Sequence, residues 1–173
     1  SYNMFACSGI LFNHESPIRG SEFVTQKIVT QLVEIKNKER KTLELGNIYA
    51  KRDWGFAKDY VEAMWLMLQQ KKPEDFVIAT NKTISVKQFI NICCKILGIN
   101  LKWKGKNLKE IGVNKNDGKT IIKINPIFYR PSEVEYLKGS YKKAQKLLKW
   151  KPKTNIYALA RIMIESAKNA HKK

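Results

Sequence analysis

The sequence predicts an α/β fold. Three observations carry this expectation: short apolar runs of strand length (MFACSGILF, FVIA, TIIKI), amphipathic helical stretches between them, and turn or cap residues at the junctions. Residues 4–12 are too short an apolar run for a core helix and suit a strand buried on both faces, as in a parallel sheet. A polar loop over residues 13–20 follows. A helix is expected from Ser21 or Glu22 to about Asn37, with Phe23, Ile28, Leu32 and Ile35 near one face. Residues 42–45 alternate and stop at Gly46, a strand followed by a turn. Residues 56–70 read as a helix, because Val61, Met64, Trp65 and Leu68 recur at helical spacing and Pro73 prevents extension. Residues 76–79 form another short buried strand. Residues 85–97 form a helix capped by Ser85 and terminated by Gly98. Residues 101–103 make a weak strand, residues 105–118 read as polar and irregular, and residues 120–124 form a strand ending before Pro126. Residues 141–150 make a helix with Ala144, Leu147 and Leu148 on its apolar side, stopped by Pro152. A last helix runs from Asn155 or Ile156 to about Lys168, and residues 169–173 are expected to fray.

The chain has 173 residues, enough to bury a core. A hydrophobic content of 43% with 28% charged residues fits a soluble globular protein rather than a disordered one. No apolar stretch approaches the ~20 residues of a membrane span, so no membrane partner is expected. Cys7, Cys93 and Cys94 lack zinc-site spacing and read as buried thiols in a reducing cytoplasm. The net charge is +18, but the lysines are dispersed along the chain among Asn and Ile. A nucleic-acid surface concentrates its cations on one face, so this charge reads as a solvated lysine-rich surface and no nucleic-acid partner is expected. The chain opens on Ser1-Tyr2-Asn3 without an initiator methionine, and the expectation is that an N-terminal part of a longer polypeptide precedes it.

Three polar loops carry the chemistry. They are FNHESPIRG around Arg19, KRDWG around Arg52, and YRPSEV around Arg130. The chain has only five arginines, and three of them sit in these loops. Arginine grips phosphate with paired hydrogen bonds, so the bias points to a phosphorylated small molecule. Ligands of open parallel sheets bind at the carboxyl ends of strands, where Asn13, His14 and Arg19 fall. The plain alternative is that Asn13 and Ser16-Pro17 only make turns. Lys27 lies one helical turn beyond Phe23, so a base could rest on Phe23 or Val24 with Lys27 at its edge; core packing of Phe23 and solvation of Lys27 is the other reading. Arg52 is expected near a helix start, with Asp53 orienting it or forming a surface pair with it. Glu133 could accept two ribose hydroxyls beside a phosphate on Arg130, or the segment could be a capped helix end opened by Pro131. The two histidines, His14 and His171, belong to no catalytic set visible in the sequence.

Taken in order, ACSGILFNHESP, FVTQKI, LGN, KRDWG, AKDYVEAMW, PEDFVIAT and YRPSEV closely resemble GDP-mannose 4,6-dehydratases, of the extended short-chain dehydrogenase/reductase superfamily. The resemblance covers residue 1 to about 152. It implies NADP-dependent conversion of GDP-mannose to GDP-4-keto-6-deoxymannose. A hydride leaves the sugar C4, water is eliminated across C5 and C6, and the hydride returns to C6. By matching motif, His14 and Arg19 would contact NADP, while Asn13, Val24, Lys27, Gly46, Arg52, Arg130 and Glu133 would line the GDP-sugar pocket.

The departures shape the expectation. The glycine-rich dinucleotide loop and the catalytic Ser/Thr, Glu and Tyr-x-x-x-Lys of the family are not in this sequence, which would start just after that lysine. Ile18 stands where the family usually has a second arginine, Phe56 replaces a usual histidine, and residues 105–118 look short. The resemblance therefore implies the C-terminal, substrate-binding portion, inactive alone, with strands 4–12 and 76–79 being the last of a Rossmann-like sheet. Those strands would leave apolar edges open, so association is expected, with the N-terminal half or with a second copy in a homodimer or homotetramer. Two other functions compete: another nucleotide-sugar epimerase or reductase, and a non-catalytic basic nucleic-acid-binding module.

Overall fold

A computed structural model describes Tyr2, residues 4–130 and residues 132–170. Pro131 and His171 lie outside the described residues. The elements, in chain order, are β1 (Gly9–Leu11), β2 (Asn13–Glu15), α1 (Val24–Lys36), β3 (Leu43–Leu45), β4 (Lys51–Arg52), β5 (Trp54–Phe56), α2 (Ala57–Leu68), β6 (Phe76–Ile78), β7 (Ile84–Ser85), α3 (Val86–Leu97), β8 (Leu101–Lys104), β9 (Ile111–Asn114), β10 (Thr120–Ile124), α4 (Lys142–Leu148) and α5 (Ile156–Ala170). The α/β class is as expected.

The chain divides into two compact units. The first gathers residues 1–16, 51–84 and 136–159; the second gathers 17–50, 85–135 and 160–173. In the first unit β1 pairs in parallel with β6, Ile10 opposite Val77, and β2 pairs in parallel with β5, Asn13 opposite Trp54. Tyr60, Ala63 and Met67 of α2 pack with Phe76, Ile78, Ala144, Leu148 and Trp150 in one apolar cluster. These α2 positions recur every three or four residues, which puts them on one face of the helix. Trp150 crosses edge-on to both Tyr60 and Tyr141, and its indole N–H donates to the Asp59 carbonyl at 2.9 Å.

In the second unit β3, β10, β9 and β8 form one mixed sheet in that order, β3 parallel to β10 and the rest antiparallel. Helix α1 buries Ile28, Val29, Leu32 and Val33, and α3 buries Phe89, Ile90, Cys93, Cys94 and Leu97. The start of α3 is a complete capping box: Ser85 Oγ accepts from Gln88 N, and the Gln88 side chain accepts from Ser85 N. Its end is Gly98 at φ 67°, a left-handed position that suits glycine.

Several expectations need correction. The first strand covers only Gly9–Leu11 rather than residues 4–12, because the side chains of Met4 and Phe5 are exposed and β6 offers only three residues to pair with. Residues 13–15 and 51–52 are strands rather than loop. Residues 105–118 are not irregular throughout, since they hold β9. Gly112 hides that strand in the sequence, yet a side chain there would stand 3.0 Å from both Ile122 and Leu101. The segment beyond Arg130 is no short helix: residues 132–135 are irregular, and a single 3-10 turn at Pro126–Phe128 precedes it. The last helix runs to Ala170 rather than fraying at 169. Cys7 is half-buried rather than buried, unlike Cys93 and Cys94, and all three cysteines are free thiols.

Candidate functional site

In the first unit the parallel ladder of β2 with β5 sets Asn13 opposite Trp54, two residues beyond Arg52. Asn13 and Arg52 therefore belong to the same unit, Arg52 on β4, the strand just before β5 in the chain. His14, the next residue of β2, lies 5.7 Å from the Tyr60 ring, centroid to centroid. Its Nδ1 is 3.1 Å from the Phe12 carbonyl oxygen. A carbonyl can only accept, so Nδ1–H is the donor of this contact. The Arg52 guanidinium donates to the Lys51 carbonyl at 3.0 Å.

Asp53 has a different role from the expected partner of Arg52. It is fully buried, and its carboxylate accepts from Thr80 N at 2.8 Å, Thr80 Oγ1 at 2.5 Å, Asn81 N at 3.0 Å and Gly139 N at 3.2 Å. It ties three chain segments together, a buried structural clamp rather than half of a surface pair. Asp59 is a second clamp. It accepts from Lys153 N, Thr154 N and Thr154 Oγ1 at 3.0, 2.8 and 3.3 Å.

In the second unit the expected residues fall into two groups. Arg19 stacks its guanidinium 3.4 Å over the half-exposed Phe23 ring. The Lys27 ammonium sits 3.8 Å over the Phe128 ring. A cation over an aromatic face is held electrostatically by the ring quadrupole. Burial lowers the Lys27 ammonium from its ordinary pKa, Glu44 pulls it back up, and Arg40 lowers it further. Gly46 explains how Phe128 comes close. A Cβ there would lie 2.2 Å from the Phe128 carbonyl oxygen, so only glycine admits the 128–129 backbone. Lys27, Gly46 and Phe128 are thus one constellation, with exposed Arg130 two residues further along the chain. Val24 opens α1 one turn before Lys27, and Glu133 is half-buried.

The sequence reading missed Phe128, whose only signal was a large aromatic stranded between Pro126 and Arg130. It also missed a cavity of about 460 Å³ in the first unit, lined by Arg52, Trp54, Lys82, Tyr141, Lys153 and Tyr157 among others. There residues 152–157 had been read only as a helix stop and a helix start. Among the described residues no group of three or more His, Cys, Asp or Glu side chains is placed to hold a metal ion.

The profile of the GDP-mannose 4,6 dehydratase family matches residues 1–163. The chain is 52% identical to the GDP-mannose 4,6 dehydratase of Dictyostelium discoideum over 99% of its own length and 49% of that protein. It is 48% identical to the Homo sapiens protein of the same name, over 96% of this chain and 45% of that one. The chain therefore spans about half the length of these relatives. Among solved structures it resembles RMD from Pseudomonas aeruginosa complexed with NADPH, with a TM-score of 0.73 at 17% identity over 93% of this chain and 47% of that one. It also resembles the dTDP-glucose 4,6-dehydratase of Bacillus anthracis in complex with NAD, with a TM-score of 0.71 at 17% identity over 95% of this chain and 45% of that one. These likenesses show the α/β fold alone, and the sequence match is more specific: this chain belongs to the GDP-mannose 4,6 dehydratase family.

Proposed function

We propose that this chain is the substrate-binding portion of an NADP-dependent GDP-mannose 4,6-dehydratase, which converts GDP-mannose to GDP-4-keto-6-deoxymannose. The observation that carries the reading is the family match across residues 1–163. In this reading Arg52 and Arg130 meet the diphosphate, Asn13 donates an amide hydrogen to a phosphate or sugar oxygen, and Glu133 accepts from ribose hydroxyls. Val24, Lys27 and Gly46 border the guanosine. The close approach at Gly46 holds Phe128 under Lys27, so the ammonium is aimed before ligand arrives, which lowers the ordering cost of binding.

NADP, when bound, supplies the hydride acceptor and donor. The residues present fit it: Arg19 offers a planar cation steadied on Phe23, and His14 offers an imidazole ring oriented by its contact with the Phe12 carbonyl. The chain itself brings binding groups rather than an acid–base set, so turnover requires a partner that supplies one. The partner is the N-terminal half of such an enzyme, and the whole assembles as a homodimer or homotetramer. An apolar stripe on α2 supports association: Val61, Trp65 and Leu68 are 60%, 61% and 58% exposed with Met64 beside them, and Ile10 of β1 is 56% exposed. The three free thiols fit the reducing cytoplasm.

The test mixes this chain with GDP-mannose and NADP, with and without the co-expressed N-terminal half of the Dictyostelium relative. No product from the chain alone and product from the pair is expected. Turnover by the chain alone, or a pair that binds but stays inactive, overturns the proposal. A thermal shift larger with GDP than with UDP or dTDP separates the dehydratase from another nucleotide-sugar epimerase or reductase.

A further inference from the structure

The cavity of the first unit carries a second reading. Its lining includes three cations, Arg52, Lys82 and Lys153, three aromatic side chains, Trp54, Tyr141 and Tyr157, and no carboxylate. A volume of about 460 Å³ lies within the ~300–1,000 Å³ usual for small-molecule sites. The walls are fixed in advance. Asp53 holds the segment at Thr80 and Asn81 through partly buried hydrogen bonds, and Asp59 holds the segment at Lys153 and Thr154. Both carboxylates are occupied by these donors, and neither lines the cavity. Lys153 is steadied at the rim by Glu62 at 2.6 Å, while Lys82 is exposed and makes no ion pair among the described residues. Mixed cationic and aromatic lining in a rigid, partly enclosed space selects a small molecule that is both anionic and aromatic.

We infer that this cavity binds a nucleoside phosphate, its base against the Tyr157 side and its phosphate toward Lys82, Lys153 and Arg52. A nucleic-acid strand does not suit a partly enclosed space of this size. The inference goes beyond the GDP-sugar reading, because Val24, Lys27, Gly46, Arg130 and Glu133 belong to the other unit and none of them lines this cavity. Arg52 is the one residue that both readings use.

The test is calorimetric titration of the full chain with GMP and with inorganic phosphate, accompanied by amide chemical-shift mapping. GMP should bind saturably and at least tenfold more tightly than phosphate, with shifts concentrated at residues 80–82 and 153–157. The double variant Lys82→Met with Lys153→Met should weaken the GMP binding read at residues 80–82 and 153–157 at least tenfold, and Lys102→Ala, an exposed position on β8, should leave it within twofold. Absence of saturable GMP binding, or binding untouched by the double variant, overturns the inference. Loss of binding with Arg130→Ala alone assigns the nucleotide to the GDP-sugar set; that result overturns this inference and leaves the dehydratase reading standing.

Discussion

Replacing Asp53 with Asn tests whether a single buried carboxylate organises the first unit. Asparagine keeps one oxygen for Thr80 but turns an NH₂ toward the amides of Asn81 and Gly139, which now donate to Oδ2 at 3.0 and 3.2 Å. Donor meets donor at both. The Gly139 amide is fully buried, and losing its acceptor costs about 1–3 kcal/mol; the Asn81 amide is partly buried and adds roughly 1 kcal/mol. The remaining bonds to Thr80 also lose their charge assistance. The sum is about 3 kcal/mol, which for a chain of this size lowers Tm by roughly 6–12 °C. Differential scanning calorimetry with urea unfolding reads it directly. Asp117→Asn is the comparison: Asp117 is an exposed residue 3.8 Å from Lys119, and its change should stay within ~0.5 kcal/mol. If Asp53→Asn is as mild as Asp117→Asn, the clamp does not organise these segments.

Gly46→Ala should destabilise by about 1–3 kcal/mol, because the added methyl meets the Phe128 carbonyl at 2.2 Å and backbone must shift; an unchanged urea midpoint would mean that residues 128–129 do not pack there. Tyr60→Phe should be neutral or stabilising by ~1 kcal/mol, since the Tyr60 hydroxyl is buried without a hydrogen-bond partner among the described residues. The same residue sets a pH dependence. Burial first, then the charges of Asp53, Asp59 and Glu15, push the Tyr60 phenol above its ordinary pKa of about 10. The unfolded chain then releases that proton first, so stability is full below the ordinary value and falls as pH rises through it. Urea midpoints between pH 8 and 11 should fall less steeply in Tyr60→Phe than in the parent. Cys94, pushed up to about 12 by burial, has the same sign and leaves part of the fall in both. Parallel curves for the two proteins would contradict the burial of that phenol.

What the sequence made legible follows from how local each signal is. The α3 helix could be placed to the residue because its cap and terminator lie within the segment itself, at Ser85, Gln88 and Gly98. Helix α2 was visible from its apolar spacing, but the positions that revealed it, Val61, Met64, Trp65 and Leu68, are exposed, and the face it buries carries Tyr60, Ala63 and Met67. The strands were harder, since their pairing partners are distant: β2 needs Trp54 and β9 needs Leu101 and Ile122, and nothing near Asn13 or Gly112 announces either. The same holds for the site. The arginine-bearing loops were visible as local chemistry, and Gly46 was carried over by motif. That Gly46 seats Phe128 beneath Lys27 depends on chain that lies 82 positions away from Gly46, a relation no window of sequence contains. The role of Asp53 was misjudged for that reason too, because its partners are at positions 80, 81 and 139.

The unequal shielding of the three thiols has a practical use. Cys93 and Cys94 are sealed inside α3, and burial raises both far above the range in which a thiolate forms at neutral pH. Cys7 alone is open to water, two residues ahead of β1. A maleimide fluorophore would therefore attach at one address without any engineered substitution. Whatever polypeptide settles against the β1 edge would be reported as a change in that dye's colour or anisotropy.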